Sequence, residues 1–185
     1  CNYLAPHAQQ VARLALAIFD GLKTRHRLGQ QEREWLEYGA LLHDIGTHIS
    51  YERHHKHAYY LVKHGGLRGF EPDEVAIIGL IARYHRQATP KASHEGYKSL
   101  SKPTRRSVRL LGGIARLAEA LDRSHAQVVS GVRVSGAGGR ITLSLTASDD
   151  GELELWAAER HTTALAEELE SEIRCEITGD RAAPP

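Results

Sequence analysis

Several residue types and patterns are scarce or missing in this chain. It has no methionine, and its only cysteines, Cys1 and Cys175, lie near opposite ends of the sequence. Cysteines so placed cannot form a disulfide framework, so we expect a reducing compartment, the cytoplasm. The sequence has no run approaching the roughly 18 apolar residues that a membrane-spanning helix needs, which argues against a membrane protein. Because no initiator methionine is present, we expect a fragment of a longer polypeptide.

Bulk composition excludes little, but the histidine content is informative. The net charge is +1, and 41% of the 185 residues are hydrophobic, which is enough to bury a core. Twelve residues are histidine, and seven of them fall between residues 43 and 85. Clustering of this kind calls for a chemical explanation. The seven are His43, His48, His54, His55, His57, His64 and His85.

Apolar periodicity predicts helices over the first two thirds of the chain. In the first of them Val11, Leu14 and Ile18 recur at the spacing of one helical face. Gly46 is a suitable stop after the second helix, and Pro103 opens the longest one. The predicted ranges are 7–22, 30–43, 54–64, 72–85 and a helix that begins at 103.

Hydrophobic alternation replaces this pattern near residue 128. Ile141, Leu143 and Leu145 alternate with polar residues, as do Leu153 and Leu155, and turn residues separate the two groups. This alternation predicts strands, and the following segment predicts a helix and a last short strand, in the order βββαβ. The predicted strands are 128–134, 140–146, 152–156 and 174–178, and the predicted helix is 159–171.

The predicted fold class is therefore mainly α, a helical bundle followed by a small α+β appendage. We expect the bundle, with the metal-site chemistry, to occupy residues 1–126. The α+β subdomain would occupy 127–180, and residues 181–185 would form a loose tail.

A histidine and an aspartate, His43 and Asp44, stand side by side at the end of the second predicted helix. Imidazole and carboxylate groups at one point suit divalent metals of intermediate hardness. His7, His85 and Asp122 fall at the ends of apolar, core-facing stripes. A buried carboxylate is costly unless it meets a metal, an arginine or hydrogen-bond donors, so Asp122 needs a partner. The sequence predicts a metal site built from these residues.

An interpretation without a metal is also open. In it, Asp122 pairs with Arg116, Arg123 or a helix end, and His7 and His85 are ordinary core or surface histidines. Their occurrence together with the adjacent His-Asp pair favours the metal site. Solvent exposure is expected for the histidines of weaker placement, which are His48, His54, His55, His64, His94 and His125.

Two family resemblances follow from these residues. The order His7, His43-Asp44, His57, His85, Asp122 resembles the HD-domain superfamily, whose H…HD…D residues bind a metal inside a helical bundle. The stretches LLHDIGTHISYERHHKHAYYLVKH, EVAIIGLIARYHR and LLGGIARLAEALDRSH are similar to the C-terminal region of the exopolyphosphatase/guanosine pentaphosphate phosphatase (Ppx/GppA) family. The second similarity covers about residues 4–178.

The resemblance implies roles for individual residues. Asp44 or a nearby histidine would orient a water molecule, and His57 and His85 would bind a second metal or a substrate phosphate. Many HD enzymes have a lysine where this chain has Thr47, so that lysine is missing here. The implied cofactor is a divalent ion such as Mn, Mg, Fe, Zn or Ni. Its implied ligands are His7, His43, Asp44 and Asp122.

Positive charge is concentrated between residues 96 and 118, where no acidic residue occurs. Such a segment attracts polyanions, and arginine binds phosphate oxygens in bidentate fashion, although a solvated helix face is the alternative. Nucleic acid is not favoured, because Tyr84 and Tyr97 are isolated rather than interleaved with the basic residues. The predicted phosphate-binding residues are Arg86, Lys102, Arg105, Arg106 and Arg109.

The Ppx/GppA resemblance also implies partners. In that family an actin-like phosphatase module precedes this region and holds the principal catalytic centre, and we expect a homodimer in the full-length protein. The predicted function is to bind a divalent metal and to act on or guide phosphoanhydride substrates, inorganic polyphosphate or guanosine pentaphosphate. Two alternatives stay open: a non-catalytic polyphosphate-binding and dimerisation module, and a stand-alone HD nucleotide phosphohydrolase.

Overall fold

The computed structural model describes residues 4–87, 89–147 and 151–179. Over these residues the protein is mainly α, with a small three-stranded sheet near the C-terminus, as the sequence predicts. The helices are α1 (Ala5–Gly21), α2 (Lys23–His26), α3 (Gln30–Leu41), α4 (His54–His64), α5 (Pro72–Tyr84), α6 (Lys102–Ala120), α7 (Glu152–Glu159) and α8 (Thr163–Leu169), and a 3-10 turn spans Ile45–His48. The strands are β1 (Val129–Ser135), β2 (Arg140–Ala147) and β3 (Glu172–Gly179).

Helix α6 lies at the centre of the bundle. It packs against α1, α3 and α5 and also against α7 and α8. Its apolar stripe, which includes Val108, Leu111 and Ala115, is completely buried. Burying a side chain of leucine size contributes about 1.5–3 kcal/mol, so this stripe fixes α6 against its neighbours. The position of the C-terminal end of α6 is thereby set relative to the other helices.

The predicted helices are confirmed, with small shifts at their ends. Helix α3 ends at Leu41 and α5 ends at Tyr84, each slightly earlier than the sequence predicts. His43 and His85 therefore lie just beyond their helices. Helix ends vary by a residue or two between sequence patterns and observed hydrogen bonding.

The predicted strand at 152–156 is wrong, because these residues lie in α7. Leu153 and Trp156 are exposed, whereas Glu154 and Ala158 are buried at helical spacing. Two alternating leucines are too short a pattern to distinguish a strand from a helix. Moreover, β2 and β3 are parallel neighbours, and a parallel pair needs a crossover connection, which α7 and α8 provide. The order of the appendage is ββααβ rather than βββαβ.

The C-terminal sheet is joined to the bundle by a continuous core. Its order is β1-β2-β3, with β1 antiparallel to β2. Ile141, Leu143 and Leu145 of β2 are buried, and Leu143 pairs with Cys175 of β3. Strand β1 packs on α1, while α7 and α8 pack on α6. The boundary at 126–127 falls where helix gives way to sheet, and the division into two domains there stays a prediction.

Two further predictions concern the end of the chain and the membrane. The helix predicted at 159–171 is shorter than expected, since α7 continues to Glu159 and α8 covers only Thr163–Leu169. The predicted tail at 181–185 lies outside the described residues. None of the described helices combines the length and the apolarity needed to cross a membrane.

Candidate metal centre

Five helix ends meet at one end of the bundle, and each contributes a histidine or an aspartate there. Because the last carbonyl oxygens of a helix have no partner inside it, the histidines that follow α3 and α5 can donate to them. The structure thus brings together residues that are more than one hundred positions apart in sequence. His7 lies in the first turn of α1, His43 and Asp44 follow α3, His54 opens α4, His85 follows α5, and Asp122 follows α6.

Asp44 occupies the middle of this cluster. It is shared by two groups of potential ligands, one with His7 and His43 and the other with His54 and His85, and within each group the ligand atoms lie within 4.8 Å of one another. Oδ1 of Asp44 is 3.0 Å from Nε2 of His54, 3.7 Å from Nε2 of His43 and 3.8 Å from Nε2 of His85. The arrangement is compatible with one cation in each group and Asp44 between them.

Backbone carbonyl oxygens orient three of the four imidazole rings. Nδ1 of His43 and of His85 each lie 2.6 Å from the carbonyl oxygen three residues earlier in the chain, and Nδ1 of His54 lies 3.0 Å from the equivalent oxygen. A carbonyl oxygen can only accept, so each Nδ1 carries the hydrogen. The remaining nitrogen, Nε2, faces Asp44. This is the tautomer in which a neutral imidazole binds a metal through Nε2.

His7 is oriented by a carboxylate instead. Its Nδ1 lies 2.7 Å from Oδ2 of Asp122, and the backbone N–H of Gln127 donates to the other carboxylate oxygen at 2.8 Å. Both oxygens of Asp122 therefore have protein partners. A carboxylate behind a metal-binding histidine fixes the ring and increases its basicity. In this geometry Asp122 supports His7, and direct ligation by Asp122 stays a prediction.

Pairs of Nε2 atoms face each other within the cluster. Nε2 of His43 is 3.3 Å from Nε2 of His7, and Nε2 of His54 is 3.3 Å from Nε2 of His85. Two nitrogen lone pairs at this distance repel unless a proton or a cation lies between them. Nitrogen ligands about 2.0–2.1 Å from a tetrahedral ion are roughly 3.4 Å apart, which is close to the observed separation. The donor set therefore fits a divalent metal.

The electrostatics keep these groups in their metal-binding forms. Burial lowers the pKa of His43 to about 4 and lowers the pKa of His85 well below its ordinary value. Burial by itself would raise the pKa of Asp44, but in acid, where the neighbouring imidazoles carry an extra proton, a hydrogen bond from His54 and the charge of His43 hold this pKa below its usual range. At neutral pH His43 and His85 are thus neutral, and Asp44 beside them is ionised.

The structure places His54, and not His57, at the cluster. His54 and His55 are both buried, so the expectation that they are exposed is wrong. His57 is half-buried and belongs to neither group of potential ligands among the described residues. The catalytic role predicted for His57 thus has no support from contacts at the centre and stays a prediction.

Gly46 explains why the first residue of α4 reaches Asp44. A Cβ atom at position 46 would collide with the carbonyl oxygen of His54 and the backbone nitrogen of Ala58. Only a glycine lets the 3-10 turn approach α4 so closely. The glycine two residues after the His-Asp pair was therefore the available signal that the next helix packs closely against this turn.

Arg86, one of the predicted phosphate-binding residues, lies beside the cluster. Its Nη1 atom is 3.3 Å from Nε2 of His54, and its guanidinium lies 6.0 Å from the centre of the Tyr51 ring. Tyr51 is exposed, and the side chain of Asp44 is 18% exposed, so this side of the centre faces solvent. Binding of phosphoryl oxygens by Arg86 stays a prediction.

The other predicted phosphate-binding residues lie elsewhere, in the N-terminal half of α6. Arg106 precedes Asp122 by sixteen residues, which corresponds to roughly 24 Å along a helix. Arg105 donates to the carbonyl oxygens of Leu100 and Lys98, and Arg109 forms an ion pair with Glu168. Lys102 is exposed. The structure does not bring these residues to the metal centre, and their binding of phosphate stays a prediction.

One contact at the centre has no counterpart in the sequence predictions. The ring of His125 stacks on His7 with 3.8 Å between the centroids and an angle of 12°. His125 and Gln127 both have a positive φ, 58° and 56°. Non-glycine residues rarely adopt this conformation, and such strain is common where a loop must hold a functional group. The loop after α6 thus covers His7 and supplies the N–H that binds Asp122.

Comparison with known proteins identifies the family. A sequence model of Ppx/GppA phosphatase, domain III, matches residues 5–169. The guanosine-5'-triphosphate,3'-diphosphate pyrophosphatase of Vibrio vulnificus is 30% identical over 173 residues, 92% of this chain and 32% of the relative. The Vibrio campbellii protein of the same name is 29% identical over 180 residues, 96% of this chain and 33% of the relative. The chain thus spans about a third of the curated relatives that it matches. It belongs to the Ppx/GppA phosphatase family, as the resemblance predicts, and corresponds to domain III of that family.

Proposed function

We propose that this chain is the metal-binding domain of a Ppx/GppA-type phosphatase and acts on or guides phosphoanhydride substrates. The observation that carries the proposal is the convergence of Nε2 atoms from His7, His43, His54 and His85 on the carboxylate of Asp44. Imidazole and carboxylate ligands together suit Mn, Fe, Zn or Ni better than Mg, which prefers oxygen ligands alone.

The side chains at the centre would have separate roles in the hydrolysis of a phosphoanhydride. A bound divalent ion supplies an acidified water and neutralises phosphoryl charge. Asp44, between the two groups, would orient the attacking water. His85, held by its hydrogen bond to the carbonyl oxygen of Ala82, would bind a metal ion through Nε2 from the buried side. Arg86 would donate to phosphoryl oxygens from the solvent side. Asp122 keeps His7 in the required tautomer.

The rest of the polypeptide would hold the principal activity. The curated relatives are about three times as long as the matched region, and they are named as pyrophosphatases of guanosine-5'-triphosphate,3'-diphosphate. We therefore propose an actin-like phosphatase module before this domain, substrates that are inorganic polyphosphate or guanosine pentaphosphate, and a homodimer of the full-length protein.

Metal analysis of the purified chain tests the proposal directly. We expect up to one divalent ion for each group, loss of the metal in His43→Ala and Asp44→Asn, and retention in His64→Ala, whose exposed side chain belongs to neither group. Hydrolysis of polyphosphate and guanosine polyphosphates is then measured with and without the metal. A chain that takes up no metal, and that is inert toward both substrates, would contradict the proposal.

The same variants distinguish a catalytic from a supporting role. In the full-length protein, Asp44→Asn abolishes activity if this centre performs the reaction. If the centre only supports an upstream site, Asp44→Asn leaves the turnover rate unchanged and affects the handling of substrate alone. We expect the second result, since the matched region is a third of the relatives' length.

A further inference from the structure

An exposed aromatic ring lies on the solvent side of the metal centre. Tyr51 belongs to the short connection between the 3-10 turn and α4, and it is 73% exposed. Ile49, two residues earlier in the same connection, is also exposed. Scattered apolar residues are common on a surface, but apolar surface rimmed by polar groups often marks a place where a ligand binds. Neither residue is a potential metal ligand, so their exposure at this position calls for another explanation.

The backbone holds Tyr51 against one of the potential metal ligands. Its carbonyl oxygen accepts a hydrogen bond from Nδ1 of His54 at 3.0 Å and another from the backbone N–H of the same residue at 3.3 Å. The centre of the Tyr51 ring lies 5.4 Å from the centre of the His54 ring. Because a tyrosine side chain has only two torsions, a ring on a fixed backbone loses little entropy when a ligand packs on it. The place of the ring beside the centre is thus set in advance.

Arg86 connects the ring to the metal centre. Its guanidinium lies 6.0 Å from the centre of the Tyr51 ring, and its Nη1 atom lies 3.3 Å from Nε2 of His54. A guanidinium at this distance attracts the electrons of the ring face and helps to keep the ring in place. These contacts cover only a minor part of Tyr51, as its exposure shows. A planar group can therefore stack on the surface that is left free.

The distance between the ring and the centre suits a single nucleotide. A metal ion about 2.0–2.1 Å from Nε2 of His54 would lie at most roughly 9 Å from the centre of the Tyr51 ring. A phosphoryl group at that ion and a base stacked on the ring can therefore belong to the same nucleotide. Inorganic phosphates have no planar group and would leave the ring without a partner. The ring thus separates two classes of phosphate compound by their chemistry.

We propose that Tyr51 is a stacking platform for the base of a nucleoside phosphate whose phosphoryl group binds at the metal centre. Every nucleobase has a π face, so stacking on an aromatic side chain tolerates any base. The platform selects nucleoside phosphates over inorganic phosphates and sugar phosphates, which lack a base. Placement of the phosphoryl group rests on the proposed function, whereas stacking on Tyr51 does not require a metal.

Guanosine 5'-monophosphate and ribose 5-phosphate are matched ligands, because they share the sugar and the phosphoryl group and differ in the base. Calorimetric titration of the metal-loaded chain measures both affinities. We expect Tyr51→Leu, which keeps an apolar side chain without the ring, to bind the nucleotide about tenfold more weakly and ribose 5-phosphate as the wild type does. Tyr51→Phe should restore the affinity for the nucleotide. The control is Tyr60→Leu, since Tyr60 is an exposed tyrosine of α4 that contacts His64 and no metal ligand.

Two results of the titration would overturn the proposal. One is equal affinity of Tyr51→Leu, Tyr60→Leu and the wild type for the nucleotide. The other is a parallel loss with ribose 5-phosphate in Tyr51→Leu, because it would mean that Tyr51 supports His54 and does not contact a base.

Nuclear magnetic resonance of the chelator-treated chain, with labelled tyrosine rings, separates the platform from the metal centre. We expect guanosine 5'-monophosphate at high concentration to shift the ring signals of Tyr51 but not those of Tyr60, and ribose 5-phosphate to shift neither. This shift supports the platform even if the chain takes up no metal and the proposed function fails. Ring signals of Tyr51 that stay unchanged both with and without metal would overturn the platform and leave the metal centre untouched.

Discussion

Nε2 of His54 lies 3.0 Å from Oδ1 of Asp44, which links the first residue of α4 to the acidic group that follows α3. His57, three residues further along the same helix, is half-buried and outside both groups of potential ligands. In sequence the two histidines are almost indistinguishable. The contact therefore decides which of them serves the centre.

Replacing these histidines one at a time tests that assignment. We expect His54→Ala to weaken metal binding by about 100-fold or more, because it removes a ligand and the loss of a mere supporting residue already costs about 10–100-fold. His57→Ala should bind metal like the wild type. Metal-competition titrations with a chromophoric chelator measure both affinities. A larger loss in His57→Ala than in His54→Ala would show that the centre is built differently.

Asp122→Asn tests whether Asp122 orients His7 or binds the metal itself. Asn keeps the shape and can still accept one hydrogen bond, but His7 loses a charged acceptor. We expect metal affinity to fall by about 10–100-fold, the range for residues behind a metal ligand, with the fold retained. The same chelator competition gives the affinity, and far-ultraviolet circular dichroism checks the fold. Complete loss of metal would mean that Asp122 is itself a ligand.

The metal-free protein should become less stable as the pH falls. Burial lowers the pKa of His43 in the folded state to about 4, below its ordinary value of 6.5. The unfolded chain therefore binds this proton more readily, so the stabilisation is complete above about pH 6.5 and is lost as the pH falls toward about 4. His85 shifts in the same direction. A loss on the order of 3 kcal/mol is expected over this interval, since one pKa unit corresponds to about 1.4 kcal/mol.

Urea unfolding of the chelator-treated chain at a series of pH values measures this loss as the free energy of unfolding. His43→Gln removes the titrating group and should flatten the dependence on pH. His64→Gln, which changes an exposed histidine, should keep the wild-type slope. A free energy of unfolding that increases as the pH is lowered from neutral to about 5 would contradict the buried, neutral state of His43.

Gly46→Ala should disrupt the centre without touching a ligand. The added Cβ would collide with backbone atoms of His54 and Ala58, which cannot move aside as a flexible side chain can. We expect a destabilisation of about 1–3 kcal/mol, as for overpacking in a core, together with weaker metal binding. Gly139→Ala is the control, since its added Cβ would meet no atom within 4 Å. Thermal unfolding and metal titration measure the two effects. Equal stability and equal metal affinity in the two variants would show that Gly46 has no such role.

Much of the bundle could be predicted from local sequence because helices are local structures. The apolar stripe with Val108, Leu111 and Ala115 needs only a 3.6-residue period to be recognised, and the structure buries all of it. His43 and Asp44 were likewise recognisable, because an adjacent imidazole and carboxylate at the end of a predicted helix are groups that suit divalent metals.

The appendage shows where local patterns fail. Leu153 and Leu155 alternate like strand residues, yet they lie in α7, because the parallel pairing of β2 with β3 requires a crossover between them. That requirement comes from strand direction in the sheet. A short window of sequence does not contain it.

The sequence by itself determined the family, the helical class and the types of side chain at the centre. Only the tertiary structure decided that His54 rather than His57 faces Asp44, that Asp122 binds His7, and that Arg86 lies beside His54. The physical reason is that each of these contacts joins ends of different helices. Their meeting depends on how the helices pack, and packing is fixed by the whole core at once.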